Sequence, residues 1–382
     1  MDPNIHAALV FDGERLSVPA SRMGVPKEGQ LQGTNIERLA ELAGRVCYDS
    51  LGKGRSSVAY HEHIKQVGHL SVYEHCVFTV AFRHDVERTG GTPDPWFYLP
   101  LLPALIGRPG VWCETSKKNG PKSLRVTLDM RTVLEWRKWT PHVETRMDVL
   151  EALGWYFQHE AHMLAPMIVP DPGGDWPDVP FSCTAVTGNS DEAHFENDDE
   201  KWISLLLCGS RGMSHEQVRH GDFTAISQRS TRYVDEAESP WVEHPLLTCW
   251  RAHVGDVPFR RSLSDVSQKA IEQARSVYDT QVTALQAWLE AEGVDKHTAR
   301  KQARGAARGY LGNALYTEMI FSANVRQWLW MLNQRGSKFA DAEIRVLYAQ
   351  VLPQLQRSRY GDSFKHLRLE PSPDGIGEVV VG

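Results

Sequence analysis

From Asn35 to Cys47 the apolar side chains Ile36, Leu39, Ala40, Ala43 and Val46 recur at intervals of three and four, the spacing of one helix face. A second, short helix is predicted over about 57–66, stopped at Gly68. CVFTVAF, 76–82, is β-branched and aromatic and predicts a strand. A further strand is predicted at 202–208, within an apolar stretch running to 210. A long amphipathic helix is predicted over 264–291, with Ile271, Ala274, Tyr278, Val282, Leu285 and Leu289 on one face and Gly293 at its end. Asp295 is a good N-cap for the helix that follows. A strand near 315–323 and helices near 324–334 and 339–358 complete the pattern.

Between 84 and 200 the character changes. GGTPDP, RPG, NGPK and VPDPGGDWPDVP punctuate this stretch, with a helical pattern near 140–163 and an acidic run at 191–200. The acidic run reads as a solvated loop. We read 84–200 as an insertion at the periphery of a catalytic domain whose halves are 1–83 and 201–382. One feature ties the insertion to the rest. LRVTLDMRTVLEW (124–136) echoes MIFSANVRQWLWM (319–331): each is a short strand running into an arginine-bearing helix.

The 382 residues are 41% hydrophobic and 24% charged, the balance of a globular chain with a large core. Lys and Arg number 42 against 48 Asp and Glu, a net charge of −6. That argues against a partner held by a global positive field, such as nucleic acid, and leaves room for a small anion in a local basic pocket. The six cysteines are dispersed and form no CxxC, which points to a reducing, cytoplasmic setting. MDPNIHAALVFDG lacks the features of a signal peptide, and no apolar run is long enough for a membrane span.

Two clusters carry candidate chemistry. His61, His63, His69, Glu74 and His75 lie within fifteen residues, but no metal-ligand spacing fits them, nor does HEAH at 159–162, and no metal is expected. SRGMSHEQVRHGDFTAISQRSTRY, 210–233, interleaves Arg211, Arg219, Arg229 and Arg232 with hydroxyls. Guanidinium forks beside loop N–H groups suit a phosphate monoester.

Together, four segments in order resemble the flavin-dependent thymidylate synthase (ThyX) family. GRVCYDS (44–50) resembles its first-helix ending, and GHLSVYEHCVFTVAF (68–82) its GHxSxxEH-strand segment. SHEQVRH…SQRSTRY (214–233) resembles its signature helix and loop, usually written RHRx7S. NALYTEMIFSANVRQWLWMLNQRGSKFADAEIR (313–345) resembles its C-terminal strand, helix and helix. The resemblance implies an α+β fold, helices on a small mixed sheet built from strands near 76–83, 202–210 and 315–323, here carrying a large insertion. It implies a homotetramer with shared active sites, FAD as cofactor, NADPH as reductant and methylenetetrahydrofolate as carbon donor. The implied reaction is reductive C5-methylation of a uridine monophosphate, UMP or dUMP, without a cysteine nucleophile. A dUMP-only synthase, a phage pyrimidine hydroxymethylase and a non-catalytic flavin- and nucleotide-binding homologue are the alternatives.

By that resemblance His69, Ser71, Glu74, Arg219, His220, Asn333 and Arg335 fall on the flavin side. Arg211, Glu216, Gln228, Ser230, Arg232 and Tyr233 fall on the nucleotide side, with Ser230 and Arg232 near the phosphate. Arg345 falls on the pyrimidine carbonyl, where a cation stabilises charge developing on the ring. The departures are Gly221 in place of the last arginine of RHR, Leu311-Gly312 in place of an LP pair, Phe339 in place of histidine, and Glu318 in place of arginine. They argue for a specialised member, such as a UMP methylase of nucleoside-antibiotic synthesis. A carboxylate at 318 would be repelled by a phosphate, so Glu318 is expected to pair with an arginine such as Arg308 or to reach the ribose hydroxyls.

Overall fold

In a computed structural model, the structure describes residues 2–19, 24–84, 112–115, 123–139, 153, 163–164, 181–185, 198–220, 224–255 and 257–382. The helical pattern expected at 140–163 lies, but for 153 and 163, outside the described residues, as does Gly221.

The first helix, Asn35–Tyr48, starts in a capping box: Thr34 accepts from the Glu37 backbone while the Glu37 carboxylate accepts from the Thr34 backbone. It buries more than its apolar face. Arg45, 1% exposed, pairs with Glu41 at 2.7 Å and donates to the carbonyls of Ser50, Lys53 and Arg55. A buried guanidinium with five donors thus holds the 50–55 loop in one shape. The second helix, Ser57–Val67, ends at Gly68 with φ 70°, the left-handed C-cap that glycine adopts without strain. A 3-10 turn, Leu70–His75, then carries the GHxSxxEH residues.

The strands form three sheets. The main one has the order β1 (His6–Phe11), β6 (Trp202–Ser210), β8 (Tyr316–Asn324), β7 (Thr224–Gln228), every pair antiparallel. β8 is buried at all nine positions, which explains its lack of polar alternation: the helix 35–48 packs on it, and the main core brings the sheet together with the helix Ala342–Arg357. The second sheet has the order β3 (Trp112–Thr115), β4 (Ser123–Asp129), β2 (Val77–His84), β5 (Phe181–Ala185), again antiparallel. A C-terminal hairpin, β9 (Leu367–Glu370) and β10 (Glu378–Val381), packs against the last two helices.

The α+β class expected from the sequence is the class observed. The grouping of strands is corrected. The strand at 77–84 does not join those at 202–210 and 316–324 in one mixed sheet. Its hydrogen-bonding edges are taken by β4 and β5, from the stretch read as an insertion, so two antiparallel sheets form. That stretch supplies three of the second sheet's four strands.

The sequence echo between 124–136 and 319–331 has a structural counterpart. β4 runs into the helix Met130–Trp139, and β8 runs into the helix Val325–Arg335. The last strand residue caps each helix: Asp129 accepts from the Thr132 backbone, Asn324 from the Gln327 backbone, both at 2.8 Å. The cap residue also pairs across the sheet with the first residue of the neighbouring strand, Asp129 with Val77 and Asn324 with Trp202.

The long helix Pro258–Ala291 folds back through Gly293 onto the helix Lys296–Ala307. Asp295 caps the latter, as expected, accepting from His297 and Thr298. Its buried stripe is Ala299, Ala303 and Ala307, which leaves the arginine face free to reach neighbouring loops.

Candidate active site

The end of the first helix, the 50–55 loop, the second helix and the basic helix 296–307 enclose a cavity of about 720 Å3. Rings build one wall. The hydroxyl of Tyr48 lies 2.7 Å from His69 Nδ1, and the two rings stack at 5.9 Å. Tyr233 meets Tyr48 edge-on at 4.9 Å, and Lys301 Nζ sits 5.0 Å from the Tyr233 ring centroid. Lys53, Arg55, Arg232, Arg300 and Lys301 also line the cavity, and no carboxylate is among its described lining residues. Burial, with Lys301 beside it, lowers the pKa of His69; burial, with Arg55 and His69 nearby, lowers that of His63. Both imidazoles are therefore biased toward the neutral form. A space with aromatic walls and surplus cations fits an aromatic ligand bearing phosphates.

The 229–234 loop is a partition. Arg232 and Tyr233 face this cavity, and Thr231 faces a smaller one of about 360 Å3, shared with Arg211, His215, Arg308 and Asn313. Arg211 donates to the Arg229 carbonyl at 3.1 Å and to Thr317 Oγ1 at 3.4 Å; burial lowers its pKa, as does Arg308, against Glu236. Gln228 donates to Ser214 Oγ at 2.7 Å and to Thr317 Oγ1 at 3.2 Å. The Ser230 N–H donates to the Cys47 carbonyl, tying the loop to the first helix. Its hydroxyl accepts from the Arg232 backbone at 3.4 Å, and among the described residues no base bonds to it.

A third group stands where the helices 211–217 and 325–335 meet. Arg335 donates to His220 Nε2 at 2.7 Å, to the Glu216 carboxylate at 2.7 Å and to the Glu216 carbonyl at 3.2 Å. Since Nε2 accepts, the neutral ring carries its hydrogen on Nδ1, and burial, then Arg335, pushes the His220 pKa down to about 4. That Nδ1 is buried without a partner among the described residues, an N–H in want of an acceptor. Trp330 closes the other side, edge-on at 4.7 Å. Arg219 and Asn333 are exposed on the same two segments, as is Ser71 on the 3-10 turn.

Three expected residues stand apart. Arg345, 4% exposed, is ion-paired with Asp374 in the turn of the C-terminal hairpin and donates to Ser372 Oγ at 3.3 Å. Glu74 is ion-paired with Arg131. Glu318, 2% exposed, accepts from the Tyr316 hydroxyl at 2.8 Å and lines neither cavity. β8 is buried on both faces, and the side chain at 318 has a phenol partner inside the fold.

The histidines of the 61–75 cluster have separate partners. His61 meets Tyr73, while His75 spans the main sheet, 2.7 Å from Ser322 Oγ and 3.0 Å from Ser227 Oγ. Tyr48, Arg300 and Lys301 line the larger cavity but carry no role in the sequence analysis. For Arg300 a signal is present: arginines at 300, 304 and 308 recur every four residues, each following an alanine of the buried stripe.

Fold and cavity together define an α+β protein with a basic, aromatic ligand site. Comparison with known proteins sharpens this. Residues 203–358 match the family described as thymidylate synthase complementing protein. The flavin-dependent thymidylate synthase of Mycolicibacterium vanbaalenii is 36% identical over 166 residues, and that of Mycobacterium tuberculosis 37% over 169, each match covering 43% of this chain and 62% of the relative. The chain thus spans less than two thirds of the length of these relatives. Among solved structures, a Helicobacter pylori ThyX with FAD and dUMP is 20% identical with a TM-score of 0.28, over 44% of this chain and 76% of that one. The likeness to flavin-dependent thymidylate synthases thus lies in the stretch that includes 203–358.

Proposed function

We propose that the protein is an enzyme that methylates C5 of a uridine monophosphate reductively, with FAD as cofactor, NADPH as reductant and methylenetetrahydrofolate as carbon donor. The observation that carries this reading is the cavity of about 720 Å3, which brings His69, from the flavin side of the resemblance, against Tyr233 and Arg232, from the nucleotide side. Bound FAD, once reduced, would supply the hydride. The chain's own residues do the rest. Arg232 and the 229–234 loop hold the phosphate, and the Ser230 hydroxyl adds a hydrogen bond rather than acting as a nucleophile, since among the described residues no base is bonded to it. Arg335 and Glu216 lock His220 so that its Nδ1–H is left to donate to a bound ligand. Arg345 places positive charge beside the pyrimidine carbonyl, and its guanidinium must then be shared with, or released by, Asp374.

The active unit is a homotetramer with shared sites. Both UMP and dUMP are candidate substrates, and with Glu318 buried against Tyr316 a ribonucleotide preference has no support from that residue. The test is direct. Purified protein should be yellow with oxidised flavin, bleach with NADPH, and recover colour on adding methylenetetrahydrofolate and nucleotide, with a methylated pyrimidine formed from UMP, dUMP or both. Colourless protein that takes up no added FAD would remove the reading. Flavin binding without methylated product would favour the non-catalytic alternative.

A further inference from the structure

The 3-10 turn Leu70–His75 is gripped from two sides by adjacent residues. His75 is 2% exposed and lies within hydrogen-bonding distance of Ser322 and Ser227, on β8 and β7 of the main sheet. Glu74 points the other way, to Arg131, the second residue of the helix that follows β4. Arg131 is itself held by Glu135, one turn further on, with its Nε 2.8 Å from Oε1. The helix cap fixes where that arginine starts: Asp129 accepts from both the backbone and the hydroxyl of Thr132. Arg131 comes from 84–200, a stretch outside the family match at 203–358 and outside the segments that resemble the family.

We propose that Arg131 is a positioning residue for Glu74, so that the flavin side of the site is completed by the second sheet and its helix rather than by the family-matched half alone. This rests on the flavin reading above. Two observations besides the ion pair support it. The equivalent arginine of the repeated unit, Arg326, is ion-paired with Asp199 instead, so an arginine at this offset does not by itself imply a site contact. Glu74 is only partly exposed, and burial acts to raise its pKa while Arg131 acts to lower it; without the arginine, the carboxylate would lose its counter-charge and its fixed direction together.

The test is a cycle of R131Q, E74Q and the double variant in the full chain, read by the Kd for FAD, the visible spectrum of the bound flavin and the melting temperature. R131Q should weaken FAD binding about tenfold, the double variant should be no weaker than E74Q alone, and R131K, which keeps the charge but loses the fork that holds both Glu74 and Glu135, should fall between wild type and R131Q. The spectrum of flavin bound to R131Q should resemble that of E74Q, a change that loss of fold stability would not produce. Unchanged FAD affinity in R131Q, effects of R131Q and E74Q that add, or tighter binding in R131Q would each overturn the proposal while leaving the flavin reading intact. Wild type that takes up no FAD would overturn both.

Discussion

The two strand–helix units, Ser123–Trp139 and Tyr316–Arg335, use one backbone grammar for different ends. In both, an antiparallel strand ends in a polar cap, an arginine follows two residues later, and a helix packs back on the sheet. The side chains diverge at three matched positions. The caps are Asp129 and Asn324. The arginines go to Glu74 in one unit and Asp199 in the other. The buried residue four beyond the cap is Val133 in one and Trp328 in the other, each 0% exposed. The grammar builds the sheet, while the side chains decide which unit anchors the core and which reaches the 70–75 turn. Only the second unit falls within the family match.

The largest expected difference is in stability. Trp328 fills the main core, and its indole N–H donates to the Ile203 carbonyl at 3.1 Å. Trp328→Ala should cost about 3–5 kcal/mol, and Val133→Ala, removing two methyl groups, about 1–3 kcal/mol. Urea melts of the two variants measure this directly. Equal costs would mean that both units anchor the fold alike.

Next is activity. Arg345→Ala, in the family-matched half, should lower kcat by about 10²–10³, near 3–4 kcal/mol of barrier, with flavin still bound. Asp374→Asn gives the converse: if Arg345 must be released to act, this variant should keep or raise turnover. Loss of turnover in Asp374→Asn with the fold intact would show that the ion pair itself holds Arg345 in its working position. Ser230→Ala should cost less, about 1.5–3 kcal/mol, seen mainly in KM, because it removes one hydrogen bond to a charged group. A complete loss of kcat there would make Ser230 a nucleophile after all.

Much of the first half of this comparison was legible in the sequence. Strand and helix positions followed from apolar spacing, caps from Asp295 and Gly68, and the echo of 124–136 in 319–331 from its strand-then-arginine pattern. Sheet membership was not legible. CVFTVAF says that a strand forms, but its partners are chosen by chain segments up to about a hundred residues away, and composition carries no register. The site was legible as a set of residue types and illegible as a geometry. Nothing in the sequence announces that Asp374 stands beside Arg345 or that the Tyr316 hydroxyl donates to Glu318. Both partners are ordinary residues that nothing local marks as functional.

The smallest effect is the most diagnostic of why the caps differ. Burial pushes the Asp129 pKa up to about 7, with Glu74 adding to the rise, while the hydrogen bonds from Thr132 and the charge of Arg131 oppose it. Its folded pKa therefore lies above the unfolded value of 3.8. The folded state binds the extra proton between those two values, so this group's contribution to stability is complete below pH 3.8 and is lost as pH rises through about 7. Asp129→Asn keeps a cap of similar strength and removes the titration. The variant should match wild type near the lower end of that window and exceed it by about 1–2 kcal/mol above the upper end, less than the full linkage because the site relaxes and admits water. Melting temperatures of both proteins at the two ends decide it, and a variant less stable than wild type at the alkaline end would show that the ionised cap is worth more than its burial costs. The reverse exchange should not be neutral. Asn324 donates its side-chain N–H to Asp199 at 3.3 Å, and Asp199 holds Arg326. Asn324→Asp would set a second carboxylate against the first, so the main sheet needs the amide as a donor, whereas at 129 an amide oxygen can accept the Thr132 backbone N–H in the carboxylate's place and the amide nitrogen can donate to the Thr132 hydroxyl.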